Sequence, residues 1–224
     1  MFFIFKYLDN NLTRDIYSLF KNKENSSSNI HNEFKDVEFA TDYIKSKYVK
    51  SFDSYELIYD DASNKLVTKK FSRLYSADVL FSFKNNFFVI YGEKTVCLSV
   101  EKNINQKLSF TPNPWKFTLT DFTKILADTD YLINEFKFSN VKLLNTLLST
   151  ITLEFTNNFD ALKIIKDFGT DPIYIKFKLF FNDEECNLEV FINSGHVYLS
   201  YEKFHKKLAE FFEEKILNLI EVHK

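Results

Sequence analysis

The sequence predicts an α+β protein in which antiparallel hairpin and meander sheets pack against helices. Three observations support this fold class. Segments in which apolar and polar residues alternate indicate strands with one solvated face, and short turns containing Asn or Gly join these segments in pairs. Other segments carry apolar residues at every third or fourth position, as amphipathic helices do. The chain has 224 residues, of which 45% are hydrophobic, so it can form a substantial core.

The chain begins with a predicted helix and a polar linker. Leu12, Ile16 and Leu19 recur at helical spacing. Residues 22–29 are rich in Ser and Asn, so we expect a mobile loop there. A second helix is predicted over residues 37–49, where aromatic side chains lie loosely on one side.

Residues 54–100 predict a meander of antiparallel strands. Tyr55, Leu57 and Tyr59 alternate with polar residues, which is typical of a strand with one buried face. Short polar turns separate the strands. The predicted strands are residues 55–59, 66–71, 79–83, 87–91 and 95–100.

In the second half, helices are predicted before hairpins. Pro112 and Pro114 interrupt the chain, because proline fits neither a helix interior nor a central strand. Thr118 followed by Asp121 resembles a capping box at the start of a helix. Gly169 lies where a left-handed helix cap is expected. Further helices are predicted at residues 141–148, 160–168 and 202–222, and strands at residues 151–155, 173–181, 188–192 and 197–201.

The domain organisation has two interpretations. Residues 1–30 form an N-terminal helix and flexible linker, 31–111 a first α+β unit and 112–224 a second, or the whole chain is one continuous domain. Residues 89–102 (VIYGEKTVCLSVEK) and 190–203 (VFINSGHVYLSYEK) are identical at six positions without a gap. The match indicates either a duplicated α+β unit or the limited chemistry of hairpins.

Composition and charge weigh against several classes of function. The net charge is −2, whereas duplex-binding domains usually carry a basic excess. Only Arg14 and Arg73 could grip a phosphate with a guanidinium group. The three glycines are not clustered, which excludes a glycine-rich phosphate loop. The abundance of Lys, Asn, Phe and Ile is typical of an AT-rich genome.

The chain is expected to be cytoplasmic and to have no membrane partner. Its apolar start is interrupted by Lys6 and is too short for a signal peptide. No apolar stretch reaches the ~20 residues that span a bilayer. Cys97 and Cys186 form no CxxC motif, so we expect buried reduced thiols, although a disulfide between them stays open.

No group of residues predicts catalysis or a metal site. Asp78 and the later Glu93-Lys94 pair lack the spacing of a metal-dependent nuclease. Cys186 and His196 lack a third group to orient them, and the acidic turn at 183–185 lacks the spacing of a calcium loop. We therefore expect no metal, no cofactor and no enzymatic activity, although an active site scattered along the sequence stays open.

The candidate binding surface is an aromatic and basic strand face. Tyr174, Lys176 and Lys178 share one face of a predicted strand, and Tyr198 and Tyr201 follow on a later strand. Tyrosine is enriched at protein interfaces. We expect a non-enzymatic protein-binding module, such as an inhibitor, an immunity-type protein or an assembly subunit, with another protein as its partner. The alternative is a nucleic-acid-binding or processing component of a defence or viral system, which would use stacking and charge.

Overall fold

The computed structural model of the chain describes residues 2–8, 13–21, 33–108, 111–143, 146–181, 184–201 and 214–215. The strands in these residues are β1 (Phe2–Tyr7), β2 (Glu33–Phe39), β3 (Tyr43–Asp60), β4 (Lys65–Ser82), β5 (Phe87–Gly92), β6 (Asn113–Pro114), β7 (Asp130–Leu143), β8 (Thr146–Glu154), β9 (Tyr174–Phe181), β10 (Glu184–Phe191) and β11 (His196–Tyr201). The helices are α1 (Thr13–Lys21), α2 (Lys94–Lys107), α3 (Leu119–Ile125) and α4 (Asn158–Phe168).

The chain divides into two compact units, each with an antiparallel sheet. The first unit is Asp9–Thr111, and its strands are ordered β2-β3-β4-β5. The second unit combines Met1–Leu8 with Pro112–Lys224, and its strands are ordered β1-β11-β10-β9-β7-β8, with β6 paired to β1. Antiparallel sheets together with helices confirm the α+β class.

The core of the first unit lies around β5 and α2. Phe87, Phe88, Val89 and Ile90 are all buried, so β5 is covered on both faces. Helix α2 contacts β3, β4 and β5. It buries apolar side chains spaced three or four residues apart, which is the helical period. These side chains are Val96, Cys97, Val100 and Ile104.

The core of the second unit follows the alternation of its central strands. Ile175, Phe177 and Leu179 are fully buried on one face of β9. The capping box at α3 is confirmed, because Thr118 Oγ1 accepts from the amide of Asp121 and the Asp121 carboxylate accepts from the amide of Thr118. The predicted cap of α4 is also confirmed, with Gly169 in the left-handed region at φ +61°.

Two predicted helices are wrong, because both segments are strands. In residues 43–49, Ile44, Ser46 and Tyr48 are buried whereas Lys45 and Lys47 are exposed, which is the period of two of a strand. Residues 141–143 and 146–148 are the facing ends of the β7–β8 hairpin. The apolar spacing of both segments fits a helix, but both pair with other strands and therefore adopt a strand conformation. Residues 43–49 pair with the distant residues 76–82, and residues 141–143 pair with the adjacent residues 146–148.

One predicted strand is also wrong, since residues 95–100 lie in α2. The helix begins after Glu93, whose side chain accepts from the amide of Val96 at 3.1 Å as an N-cap. The matching residues Val197, Leu199 and Ser200 lie in strand β11, so three of the identical letters correspond to different local structures. The structure does not confirm a duplication at that offset.

The two units nevertheless share an order of elements at another offset. The first contains α1-β2-β3-β4-β5 and the second α3-β7-β9-β10-β11, with β8 and α4 between β7 and β9. The four strands of each series are also neighbours in their sheet in the same order, β2-β3-β4-β5 in the first unit and β7-β9-β10-β11 in the second. The final hairpins both turn through four residues, and the fourth, Asn86 or Gly195, has a positive φ of 52° or 70°.

The predicted linker at residues 22–29 lies outside the described residues. So does almost all of the predicted helix at residues 202–222, of which Glu214 and Lys215 are described and are helical. None of the helices in the described ranges is long and apolar enough to cross a membrane.

Candidate functional site

Strands β3 and β4 form a hairpin that extends beyond the sheet around it. Strand β2 pairs with β3 as far as Val49, and β5 pairs with β4 as far as Ala77. Past these points, within the described chain, residues 50–60 and 65–76 pair only with each other. At about 3.4 Å per residue, this two-stranded part projects by roughly 35 Å. We call residues 50–76 the ribbon.

One face of the ribbon carries five large apolar side chains that are exposed. Three of them alternate along β3, and the two on β4 lie opposite Tyr59 and Ser51 of the same alternating set, so all five share a face. Each is between 56% and 70% exposed. They are Tyr55, Leu57, Tyr59, Leu66 and Leu74. Tyr55, Leu57, Tyr59 and Leu66 lie together near the tip, and a cluster of exposed apolar side chains is typical of an interaction surface.

The other face of the ribbon mixes apolar side chains with charged ones, which lie at positions 50, 56, 60, 65, 69 and 73. Phe71 and Tyr75 are 38% and 36% exposed, and the ring of Phe52 meets that of Tyr75 edge-to-face at 5.5 Å. Ile58 and Val67 face each other near the tip and are half-buried. The ribbon therefore carries apolar side chains on both faces, exposed on one face and interspersed with charges on the other.

Four of the nine charged side chains of the ribbon form two ion pairs with one another. Lys70 Nζ lies 2.8 Å from Asp53 Oδ2, and Arg73 Nη2 lies 2.9 Å from Glu56 Oε1. The hydrogen bond and charge of Asp53 raise the pKa of Lys70 above its usual value. Residues 50–76 contain five basic and four acidic side chains, a net charge of +1. The ribbon is therefore not the basic stripe that binds a phosphate backbone.

The base of the ribbon is held by α2. Lys50 Nζ donates to Ser99 Oγ at 2.6 Å and lies 4.8 Å from the ring centroid of Phe52. Asn103 Nδ2 donates to the hydroxyl of Tyr48 at 3.5 Å one turn further along the helix. These contacts join the start of the ribbon to a helix that is itself anchored in the core.

Gly92 lies where the ribbon leaves the sheet. It pairs with Ala77 at the end of β5 and has a φ of +152°. A Cβ at Gly92 would lie 2.9 Å from the Cα of Ala77 and from the carbonyl oxygen of Ser76. Only glycine allows β4 and β5 to approach this closely at the point where their pairing stops.

The predicted binding face lies in the second unit, and its tyrosine is buried. Tyr174 is only 7% exposed. Its ring contacts that of Phe191 at 5.1 Å, and Lys137 Nζ lies 4.5 Å from its centroid. Burial, followed by the charge of Glu189, raises the pKa of Tyr174. This ring is not open for stacking against a partner.

The other predicted residues occupy a mosaic of opposite charges. Lys178 Nζ lies 3.1 Å from Glu185 Oε1, and Lys176 is paired across the sheet with Glu135 and Glu189. Tyr198 is half-buried on β11, opposite Glu189. Tyr201 ends β11, and its side chain lies outside the described part of the chain. A binding role for this set stays a prediction, and its internal pairing weighs against it.

The cysteines considered for catalysis lie in surroundings that keep their thiols protonated. Both cysteines are buried reduced thiols: burial raises the pKa of Cys97 to about 12, and Cys186 Sγ donates to the carbonyl of Leu179 at 3.7 Å. A thiol held in its protonated form is a poor nucleophile. In the described ranges, no three His, Cys, Asp or Glu side chains lie close enough together to hold a metal ion.

The sequence matches no protein-family model and no curated protein. The interpretation of function therefore depends on the geometry of the ribbon. Sequence reasoning predicted strands at residues 55–59 and 66–71 but assumed that one face of each is buried. The signal for a ribbon was the presence of large apolar side chains on both faces of this hairpin.

Proposed function

We propose that this chain is a non-enzymatic protein-binding module and that another protein encloses its ribbon. The observation that carries the proposal is the set of five exposed apolar side chains on a ribbon whose charges are balanced. Full burial of one such side chain contributes about 1.5–3 kcal/mol, before the cost of association is subtracted. Several of them together are sufficient to anchor a specific complex.

The dimensions of the ribbon favour enclosure. A two-stranded ribbon is about 10 Å wide, so over a length of roughly 35 Å each face offers about 350 Å². A stable interface buries about 800 Å² on each partner. One face supplies less than half of this area, whereas both faces and the edges approach it. We therefore expect the partner to contact both faces of the ribbon, with apolar groups against the face of Tyr55, Leu57 and Tyr59.

Nucleic acid remains the alternative partner. A two-stranded ribbon fits the major groove of DNA, and β4 contributes Lys65, Lys69, Lys70 and Arg73 to the ribbon. Two of these four cations are paired with acids of β3. Each phosphate contact depends on an available cation, so the balance of charge favours a protein.

We also propose that the two units derive from one ancestral unit, at an offset of 109 residues between Asn86 and Gly195. The shared order of elements and the shared four-residue turns support this proposal. The ribbon hairpin β3–β4 then corresponds to β9–β10. Its strands have 18 residues each where those of β9–β10 have eight. The extra length is not needed to complete such a unit, which is consistent with a binding role.

The test compares two variants of the tagged chain in its native lysate. The ribbon variant carries Tyr55→Ser, Leu57→Ser and Leu66→Ser, and the control variant carries Lys176→Ala and Tyr198→Ala in the predicted face. All three ribbon side chains are more than half exposed, so we expect the thermal unfolding temperature to change little. We expect a stoichiometric protein with the wild type and the control, and none with the ribbon variant.

Once the partner is identified, its affinity for the wild type and for the ribbon variant measures how much the ribbon contributes to binding. Losing two or more central apolar contacts should weaken binding by about 100-fold or more. Equal recovery with both variants would contradict the proposal, and loss with the control alone would move the site to the predicted face. Recovery of other components only in the sample without nuclease would favour the nucleic-acid alternative.

A further inference from the structure

The outermost strand of the second unit, β8, presents an open edge. Its sequence is TLLSTITLE, and within the described residues it pairs only with β7. Glu154, its last residue, is the only charged one, and the strand contains neither proline nor glycine. Natural edge strands usually carry charges, prolines or bulges, because unpaired N–H and C=O groups attract other strands.

The edge strand of the first unit shows the protection that β8 lacks. Four of the seven residues of β2 are charged. Its pairing with β3 shifts register between Lys35 and Glu38, and Asp36 lies in the left-handed region at φ +51°. A bulge of this kind bends the strand and interrupts an edge. The open edge of β8 is therefore a property of this strand and not of the whole chain.

Pairing at the edge of β8 would cover apolar side chains that are only partly buried. Ile151 and Leu153 face Phe138 and Phe136 across the β7–β8 pair and are half-buried, whereas the two phenylalanines are fully buried. Leu147 is 68% exposed. A further strand would continue this apolar layer beyond the present edge.

We propose that β8 of one copy pairs antiparallel with β8 of a second copy, with Thr150 on the twofold axis. In this register Thr150 faces its own counterpart, and Thr–Thr pairs are favourable across antiparallel strands. The only carboxylate, Glu154, faces a threonine rather than a like charge. The remaining pairs are Thr146 with Glu154, Leu147 with Leu153, Leu148 with Thr152, and Ser149 with Ile151.

The occupant in this proposal is a second copy of the chain, because the register pairs Leu147 with Leu153 and keeps the two Glu154 carboxylates apart. The register centred on Thr150 uses all nine residues of both strands, and any shift shortens the ladder. The interface is isologous, as in most closed dimers. Because an edge-to-edge contact of nine residues lies at the low end of interface sizes, we expect a dimer at tens of micromolar rather than at nanomolar concentration.

The first experiment places a cysteine on the axis. In the proposed dimer the two Thr150 Cα atoms lie about 4.5–5.5 Å apart, which is within disulfide range. In the Thr146→Cys control, residue 146 of one copy faces residue 154 of the other. The two cysteine Cα atoms are then eight residues, or about 27 Å, apart along the strands. The native Cys97 and Cys186 are buried and do not interfere. Mild oxidation should give a covalent dimer with Thr150→Cys and none with Thr146→Cys.

The second experiment measures mass by sedimentation at about 50 μM, where the proposed dimer has twice the chain mass of 26.6 kDa. Thr150→Glu should give a monomer, because two carboxylates then face each other across the axis. Thr156→Glu, an exposed position just beyond β8, should remain a dimer. A monomeric wild type, a dimeric Thr150→Glu variant or equal cross-linking at residues 146 and 150 would each overturn the proposal. Since the ribbon lies in the first unit, its binding test has an independent outcome.

Discussion

Replacing Gly92 with alanine should cost more stability than the same replacement at Gly169. At Gly169 the φ is +61° and a methyl group would meet no atom within 4 Å, so only the left-handed backbone opposes alanine, at about 1 kcal/mol. At Gly92 the φ is +152°, which costs about 1–3 kcal/mol. The methyl would also lie 2.9 Å from backbone atoms of Ser76 and Ala77, which adds about 1–3 kcal/mol of overpacking. We therefore expect a loss of about 4 kcal/mol at Gly92.

Urea unfolding followed by circular dichroism measures both losses on the same scale. With a slope of about 2 kcal/mol per molar urea, 4 kcal/mol corresponds to a shift of about 2 M in the midpoint. Hydrogen exchange of peptides from β4 and β5 should show where the Gly92→Ala variant opens. Equal midpoints for the two variants, or a larger loss at Gly169, would refute the reasoning from close approach.

Two further predictions concern the cap of α3 and the buried thiol. Thr118→Ala should lower the free energy of unfolding by about 1 kcal/mol, because the amide of Asp121 loses its side-chain acceptor; an unchanged thermal transition would contradict this. The raised pKa of Cys97, about 12, means that the folded chain keeps a proton that the unfolded chain loses above its ordinary pKa of 9.0. Its contribution to stability is therefore present below pH 9 and is lost as the pH rises toward 12. Stability measured against pH should fall less steeply in this range for Cys97→Ala, and rapid alkylation of folded wild-type Cys97 at pH 8 would show that the thiol is not protected.

Local chemistry made part of the fold predictable. The capping box of Thr118 and the left-handed cap at Gly169 depend on residues within four positions of one another, and both are confirmed. The strands near Phe177 and Val197 have alternating apolar residues and short turns, and they are confirmed as well. In each case the residues that determine the structure are neighbours in the sequence.

The errors arose where one segment fits two periods. Residues 95–100 are rich in β-branched side chains and suggest a strand, yet Val96, Val100 and Ile104 are four apart and are buried along α2. The N-cap at Glu93 was the signal that could have decided between the two. Residues 43–49 form a strand because they pair with strands at residues 33–39 and 76–82. Pairing over such distances is not visible in a short stretch of sequence.

The candidate site was missed for a related reason. Alternation at Tyr55, Leu57 and Tyr59 predicted a strand correctly, but the sequence does not show that β2 and β5 stop pairing near Val49 and Ala77. Because the points where β2 and β5 stop pairing are not visible in the sequence, the apolar face of Tyr55, Leu57 and Tyr59 was assigned to the protein core. The predicted face at Tyr174 was chosen because aromatic and basic residues alternate there, and neighbouring strands supply the acids that pair with those bases.

The pairing of β1 with β11 has a consequence during synthesis of the chain. Ile4 lies opposite His196, 192 positions later. At about 5–20 residues per second, a ribosome needs roughly 10–40 s to make the residues between them. Asp9–Thr111 is continuous and has its own strand partners available long before that. The first strand to be synthesised is therefore among the last to gain its neighbour β11.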